Sequence, residues 1–262
     1  MATIIGIDYL SCPELLPTSA VHLAADLGCS AFGISLDPYA GDLRAVHGRS
    51  LRDPVLQRET RDAMRARGIV ISMCEGFMVA PEINITDRAG DLDILGELEV
   101  PVVNIFSLDP DRSRTLDQLG AFVELTSGRG LQATVEFLPG SPIQSLSDAC
   151  GVVEQIGAPN LKILVDFMHL CRTGGTAADL AALASAQVGY VQVCDIPIVP
   201  VIANYGEEAL FNRLPLGEGE LPLRELINAL PREVAIGVEI PMSNQGLPPF
   251  KRLASSIAFL RD

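Results

Sequence analysis

Eight short apolar runs, rich in β-branched residues, alternate along the chain with longer stretches whose apolar residues recur at helical spacing. The runs predicted as strands are Thr3–Ile7, Ala31–Ile34, Ile69–Met73, Pro101–Phe106, Leu131–Phe137, Leu161–Asp166, Gly189–Val193 and Val234–Ile240. Strands that alternate with helices are typical of βαβ units and a parallel sheet. A count of eight favours a closed α/β barrel, (β/α)₈, over an open doubly wound sheet. The chain has 262 residues, and such a barrel needs roughly 250, so we expect one barrel domain over residues 1–262.

The segments between the strands carry the helical pattern. The predicted helices are Ser19–Leu27, Pro54–Arg67, Leu116–Thr126, Ser145–Ile156, Ala177–Ala186, Leu223–Leu230 and Pro249–Arg261, and Thr86–Leu98 is compatible with a helix after a loop. One long excursion, Ile196–Leu216, follows the seventh strand, and Pro and Gly interrupt any regular pattern in it. Long loops at a barrel mouth are often active-site walls.

The composition limits the classes of partner. The net charge is −14, with 17 Arg and only two Lys. A surface this acidic repels phosphate backbones and anionic lipid, so neither nucleic acid nor a membrane is an expected partner. The first residues lack the basic region of a secretory signal. Six scattered cysteines without a CxxC pair are most simply reduced thiols of a cytoplasmic protein.

Polar residues stand at the ends of the last four predicted strands. They are Glu136 in ATVEF, Asp166 and His169 in ILVDFMH, Gln192 and Asp195 in YVQVCD, and Glu239 in IGVEIP. The carboxyl ends of barrel strands carry the functional groups. Several carboxylates buried near one axis are costly unless a cation neutralises them. This pattern therefore predicts a metal site, although a neutral Gln192 could equally bond a neighbouring carboxylate.

These motifs also resemble a known family. The patterns VEF, VDFMH, VQVCD, RLPLGEGELPL and VEIP are similar to those of the sugar phosphate isomerase/epimerase family, the xylose isomerase-like TIM barrels. The resemblance covers the whole chain in strand order and is most specific from Glu136 to Glu239. It implies one divalent ion, usually manganese, magnesium or cobalt. The ligands that it implies are Glu136, Asp166, Gln192 and Glu239.

Two features distinguish this chain within that resemblance. Many members have His at strand seven, whereas Gln192 is shared with hydroxypyruvate isomerase-like members, and all-oxygen ligation favours Mn²⁺ or Mg²⁺ over Zn²⁺. A longer insertion precedes Arg213 and reshapes the substrate pocket. The resemblance implies that His169 and Arg213 contact substrate oxygens. Glu75 in MCEGFMV is a further candidate for substrate binding.

The resemblance implies an isomerase or epimerase that acts on a small hydroxy-ketone. Glu136 and Glu239 would approach from opposite sides, one removing the α-proton and the other returning a proton to the enediolate. A dehydratase of a polyhydroxylated cyclic ketone, such as an inosose or 3-dehydroshikimate, starts from the same enolate and expels a β-hydroxyl instead. The sequence leaves both open. It also leaves open whether the chain forms a homo-oligomer.

Two further readings of the barrel are weaker. An endonuclease IV-like enzyme needs a His-rich trinuclear zinc cluster, and the chain has only His22, His47 and His169. The second alternative is a degenerate, non-catalytic barrel, which would not need the intact set of predicted metal ligands that this chain has. Asn104 and Cys194 sit near the ends of strands four and seven, where a structural hydrogen bond and a small buried thiol are the simplest expectations.

Overall fold

Eight parallel strands form a closed barrel in chain order in a computed structural model, which describes residues 4–37, 49–241 and 248–262. The strands are β1 (Ile5–Ile7), β2 (Ala31–Ser35), β3 (Val70–Val79), β4 (Val102–Ser107), β5 (Gln132–Glu136), β6 (Leu161–Asp166), β7 (Val188–Val193) and β8 (Ile236–Val238). The barrel closes because β1 pairs in parallel with both β2 and β8. The predicted fold class, a (β/α)₈ barrel, is confirmed.

Helices connect the strands. They are α1 (Pro17–Asp26), α2 (Pro54–Arg67), α3 (Ala89–Glu97), α4 (Arg112–Ser127), α5 (Leu146–Ile156), α6 (Phe167–Arg172), α7 (Ala177–Ala181), α8 (Tyr205–Phe211), α9 (Leu223–Asn228) and α10 (Pro249–Phe259). A 3₁₀ turn at Ile85–Arg88 precedes α3, so the segment that was compatible with one helix is divided in two. The helix predicted over Ala177–Ala186 ends early, and a 3₁₀ turn at Ser185–Gln187 leads into β7.

Two short helices were not predicted. The prediction that Ile196–Leu216 lacks regular structure was wrong, because α8 lies within it. Asn204 caps this helix, since its side chain accepts a hydrogen bond from the Glu207 backbone N–H at 3.1 Å. The prolines at Pro197 and Pro200 hid this start signal. The other helix, α6, follows β6 directly and is too short to show a helical period.

The third strand is longer than the predicted run Ile69–Met73. It continues to Val79, and its register against β4 shifts after Cys74. Gly76 has a φ of 97°, a conformation that L side chains rarely adopt, so a glycine is needed at this irregularity. Phe77 then points outward and packs on Phe122 of α4, with ring centroids 5.4 Å apart. The extension raises the wall of the barrel mouth on this side.

No helix within the described ranges has the length and apolar character that a membrane crossing requires.

Candidate metal and substrate site

Three side chains from β5, β6 and α6 converge at the mouth of the barrel. The Nε2 atom of His169 lies 3.1 Å from Glu136 Oε1, and its Nδ1 atom lies 3.6 Å from Asp166 Oδ1. Ligand atoms of these three buried residues all lie within 4.8 Å of one another. Asn104 of β4 donates to Glu136 Oε2 at 2.6 Å. This group could hold a metal ion.

The spacing of Asp166 and His169 has a local cause. Asp166 is the last residue of β6 and also the N-cap of α6, and its Oδ1 atom accepts a hydrogen bond from the His169 backbone N–H at 3.0 Å. A capping carboxylate binds the backbone N–H of the second or third helical residue. The imidazole is thereby placed beside the carboxylate, and a helix of six residues suffices for this.

A second pair of predicted ligands comes from β7 and β8. The Nε2 atom of Gln192 donates to Glu239 Oε1 at 2.7 Å. Gln192 also lies opposite Asp166 in the β6–β7 register, so the two pairs are neighbours. The amide oxygen of Gln192 is buried and has no hydrogen-bond partner among the described residues. The interpretation that Gln192 bonds a neighbouring carboxylate is confirmed, and its role as a metal ligand stays a prediction.

Arg213 lies between the two groups. Its Nη1 atom contacts Asp166 and lies 3.0 Å from Glu239 Oε2, while its Nε donates to the Ala209 carbonyl at 2.8 Å. The guanidinium is therefore held by the carboxylates predicted as metal ligands. Since it separates Asp166 from Glu239, the four predicted ligands form two adjacent groups in this structure.

A buried carboxyl lies beneath these groups, and the sequence interpretation missed it. Asp8 follows β1, is fully buried, and accepts a hydrogen bond from the Tyr190 hydroxyl at 2.7 Å. Its Oδ2 atom has no partner among the described residues. Gly33 and Gly237 leave the space for it, because a Cβ atom at these positions would come within 2.9 Å and 2.1 Å of its carboxylate oxygens. The strand-end rule, applied to strand one, finds this residue.

Among the described residues, five buried carboxyl groups, those of Asp8, Glu75, Glu136, Asp166 and Glu239, share the site with the guanidinium of Arg213. Burial raises the pKa of Asp8 to about 7, although the hydrogen bond from Tyr190 opposes this. Burial also raises the pKa of Glu75 well above its ordinary value, helped by the charges of Asp8 and Glu136. Glu75 Oε1 has no partner in the described part of the chain.

The carboxyls of Asp166 and Glu239 respond in opposite directions. Burial disfavours the charged form of both. For Asp166 the charges of Arg213 and His169 outweigh burial and lower the pKa below its usual range. For Glu239 burial prevails over Arg213 and raises the pKa well above its usual range. Asp166 is therefore the stronger acid of the two, and Glu239 retains its proton to a higher pH.

The side chains present fit a divalent cation. Buried carboxylates that outnumber their cationic partners are costly, and an ion would relieve the cost. The unpartnered oxygen of Gln192 is of the kind that hard cations bind. The donors include one imidazole as well as oxygens, so the chemistry of the site does not name the metal.

A cavity of about 280 Å³ opens above these residues. All the predicted substrate contacts line it, namely Glu75, His169 and Arg213, together with Glu136, Glu239 and Asn104. Tyr205 of α8 also lines it, and its hydroxyl bonds to His169 Nδ1. Sequence reasoning missed Tyr205, because the position of α8 depends on how the long excursion folds back.

Two other polar residues have different roles. Asp195 does not enter the site, because its carboxylate accepts hydrogen bonds from the backbone N–H groups of Ile196, Gly217 and Leu221 at 2.9 to 3.0 Å. It thereby fixes the turn that contains GEGE. Of the other histidines, His22 contacts Arg67 at 3.0 Å on the outer surface, and His47 lies outside the described residues. Cys194 is buried, as expected, and burial raises the pKa of its thiol.

The sequence matches a family model described as the xylose isomerase-like TIM barrel over residues 21–262. The chain belongs to this family. The resemblance stated from the motifs is therefore confirmed for the xylose isomerase-like TIM barrel family. A sequence search of curated proteins finds no match.

Solved structures show the same barrel. A fusion of a xylose isomerase-like TIM barrel with 4-hydroxyphenylpyruvate dioxygenase is 19% identical with a TM-score of 0.80; the match covers 98% of this chain but only 42% of the fusion. The IolI protein with a bound zinc atom is 15% identical (TM-score 0.78; 99% and 95% covered). The 3-keto-D-glucoside 4-epimerase YcjR from E. coli is 16% identical (TM-score 0.76; 99% of each chain).

Other structural neighbours of this xylose isomerase-like barrel include two further sugar epimerases and a probable 3-DHS dehydratase, at 13 to 15% identity. At such identities the likeness shows the fold alone. Proteins with this fold thus include epimerases and a probable dehydratase, and the choice of reaction for this chain must come from the site.

Proposed function

We propose that this barrel is a divalent-metal-dependent isomerase or epimerase that acts on a hydroxy-ketone through an enediolate. The observation that carries the proposal is that Glu136, at the end of β5, and Glu239, directly after β8, line one cavity, and that Glu136 belongs to a group that could hold a cation. Two carboxyls at different sides of one pocket are what a reaction needs when a proton leaves one face of a carbon and returns at another.

Glu136, Asp166, Gln192 and Glu239 would hold the ion, with Mn²⁺ or Mg²⁺ favoured by the oxygen donors. When bound, it would supply Lewis-acid stabilisation of the negative charge that develops on the substrate oxygens. The guanidinium of Arg213, which now neutralises Asp166 and Glu239, would then be released toward the substrate. The remaining chemistry belongs to the side chains.

The hydrogen-bond network supports distinct roles for the two glutamates. His169 Nε2 lies 3.1 Å from Glu136 Oε1, and His169 Nδ1 bonds the Tyr205 hydroxyl, so Glu136 has beside it an imidazole that can relay a proton. Glu239 holds a proton more readily, since burial raises its pKa. Glu136 is therefore our candidate base for the forward direction, and Glu239 the candidate acid.

A dehydratase is the second candidate, and one observation favours it. Glu75 lines the same cavity with a pKa raised by burial, so a third carboxyl can hold a proton near a leaving hydroxyl. Both reactions begin with loss of an α-proton. They separate at the next step, where the dehydratase loses water and the isomerase does not.

The test is solvent deuterium exchange at the α-carbon of a panel of hydroxy-ketones, followed by NMR with added Mn²⁺ or Mg²⁺. We expect metal-dependent exchange that falls at least a hundredfold in Glu136→Gln and Glu239→Gln and is unchanged in Glu154→Gln, on the exposed face of α5. Exchange that survives both site substitutions would refute the proposal. Loss of water from the substrate, stopped by Glu75→Gln, would select the dehydratase.

A further inference from the structure

The cavity has two tiers above the barrel axis. We call the polar side chains at the carboxyl ends of the strands the lower tier; Asn104, Glu136 and Glu239 belong to it. The upper tier continues the same strands outward. Alternation along β4 places Asn104, Phe106 and Leu108 on one face, so the polar Asn104 is followed upward by two apolar side chains. Met78 of β3 lies opposite Phe106 in the register.

Other apolar side chains also line the cavity, beside Tyr205 of α8. Leu138 follows Glu136 beyond β5, and Leu210 belongs to α8. Leu108 is 54% exposed, and Met78 and Phe106 are only partly buried. Apolar side chains that line a cavity and remain partly exposed favour a ligand that covers them, since each buried Å² contributes roughly 25 cal/mol.

The lower tier is already dense with polar contacts. Asn104 bonds Glu136, His169 bonds Tyr205, and Arg213 contacts Glu239. These groups can serve the reacting carbonyl and hydroxyl of a substrate. A long polyol chain that rose past Met78 and Phe106 would lose water from its hydroxyls and meet no partner on this wall, which is costly.

We infer that the substrate carries an apolar group beyond its hydroxy-ketone end, and that this group lies against Met78, Phe106, Leu108 and Leu138 at the mouths of β3, β4 and β5. The inference rests on the proposed function for the orientation of the reacting end. It names the substrate class as an amphipathic hydroxy-ketone, with an aryl or alkyl substituent, in place of a polyhydroxylated sugar.

Two probes with the same reacting end test it: 1-hydroxy-4-phenylbutan-2-one and erythrulose, which is 1,3,4-trihydroxybutan-2-one. Calorimetry on the Mn²⁺-loaded protein measures affinity, and deuterium exchange measures the reaction. We expect the phenyl compound to bind at least tenfold more tightly. Equal or tighter binding of erythrulose would overturn the inference.

Variants locate the binding energy on the wall. Met78→Gln and Leu108→Gln keep side-chain size, and both residues are exposed enough to tolerate a polar group. Each substitution should weaken binding of the phenyl compound at least fivefold and leave the affinity for erythrulose unchanged. Val199→Gln, at a site that is 72% exposed and does not line the cavity, is the matched control. If Val199→Gln weakened binding of the phenyl compound and the two wall substitutions did not, the inference would be overturned.

The failures of the two proposals are distinguishable. A tenfold preference for the phenyl compound, lost in Met78→Gln, with no deuterium exchange for either probe, supports the apolar wall and refutes the proposed reaction. Exchange of both probes at equal kcat/KM, with equal affinities, supports the reaction and refutes the apolar wall.

Discussion

The Nη1 atom of Arg213 lies 3.0 Å from Glu239 Oε2 and also contacts Asp166, so one guanidinium joins the ends of β6 and β8. A divalent ion would neutralise the same two carboxylates. With the ion bound as proposed, Arg213 would compete with it for these carboxylates in the free protein, whatever Arg213 does when substrate is present.

Substituting Arg213 should have opposite effects on metal binding and on stability. In Arg213→Met we expect the Kd for Mn²⁺ to fall at least tenfold, because the competing cation is gone. The metal-free protein should lose about 3 to 5 kcal/mol, since two buried carboxylates lose their partner. Isothermal titration and urea unfolding measure the two effects.

Arg172→Met is the control for that prediction. Arg172 is also largely buried and pairs with Glu208 at 2.6 Å, outside the site. It should destabilise the protein and leave the Kd for Mn²⁺ unchanged. An unchanged or higher Kd in Arg213→Met would contradict the competition.

Asp8 should make the metal-free protein less stable as the pH rises. Its pKa is raised from 3.8 to about 7, so between those values the folded protein binds a proton that the unfolded chain has lost. The linked cost is fully developed above pH 7 and amounts to about 4 kcal/mol. In Asp8→Asn this cost is absent, so the free energy of unfolding of the variant should rise relative to that of the wild type as the pH is raised from about 4 to 7. Urea unfolding in EDTA measures it.

Ser72→Ala serves as the reference, because Ser72 bonds Tyr190 in the same buried layer but carries no titrating group. Its stability difference from the wild type should be flat with pH. A flat difference for Asp8→Asn as well would rule out the raised pKa.

Gly237 and Asp8 should be strongly coupled. A Cβ atom at Gly237 would come within 2.1 Å of the Asp8 carboxylate, so Gly237→Ala should cost more than about 2 kcal/mol. In an Asp8→Ala background the space is free, and most of that cost should disappear. Gly120→Ala, inside α4 with nothing near its Cβ position, should instead stabilise by about 0.5 to 1 kcal/mol. Additive effects in the double-mutant cycle would argue against this packing.

Asp195 should be a structural residue. Asp195→Ala leaves three backbone N–H groups without their acceptor, and we expect a loss of about 3 kcal/mol in the free energy of unfolding. Asp195→Asn keeps one acceptor oxygen, so its free energy of unfolding should lie between those of the wild type and Asp195→Ala. A wild-type urea midpoint in Asp195→Ala would show that the turn is held by other contacts.

The barrel and much of the site follow from local sequence patterns. Strand ends are local features, so Glu136, Asp166 and Glu239 could be located at the mouth from the runs that precede them. The same rule applies to Asp8, which directly follows the first strand, but the run IIGID was interpreted only as a strand. Gln192 illustrates the limit, because its hydrogen bond to Glu239 depends on how β7 is aligned with the neighbouring strands.

The remaining contacts arise from long-range folding. Tyr205 meets His169 only because α8 crosses the mouth, and the bond of Arg213 to Asp166 joins residues 47 positions apart in sequence. Neither distance nor direction across such a loop is encoded in a short motif. The helical start at Asn204 was the one local signal available, and nearby prolines obscured it.

The main chain of Asp195 exchanges two hydrogen bonds with that of Leu214, at 2.9 and 2.8 Å. The excursion that begins after β7 is therefore closed at its base, immediately beside Arg213. Because the Arg213 side chain also donates to the Ala209 carbonyl of α8, the stretch that can change in length without displacing the arginine is the one between Asp195 and α8. Descendants of this barrel could exchange that stretch as a cassette, and a laboratory graft there would be a direct route to new substrate preferences.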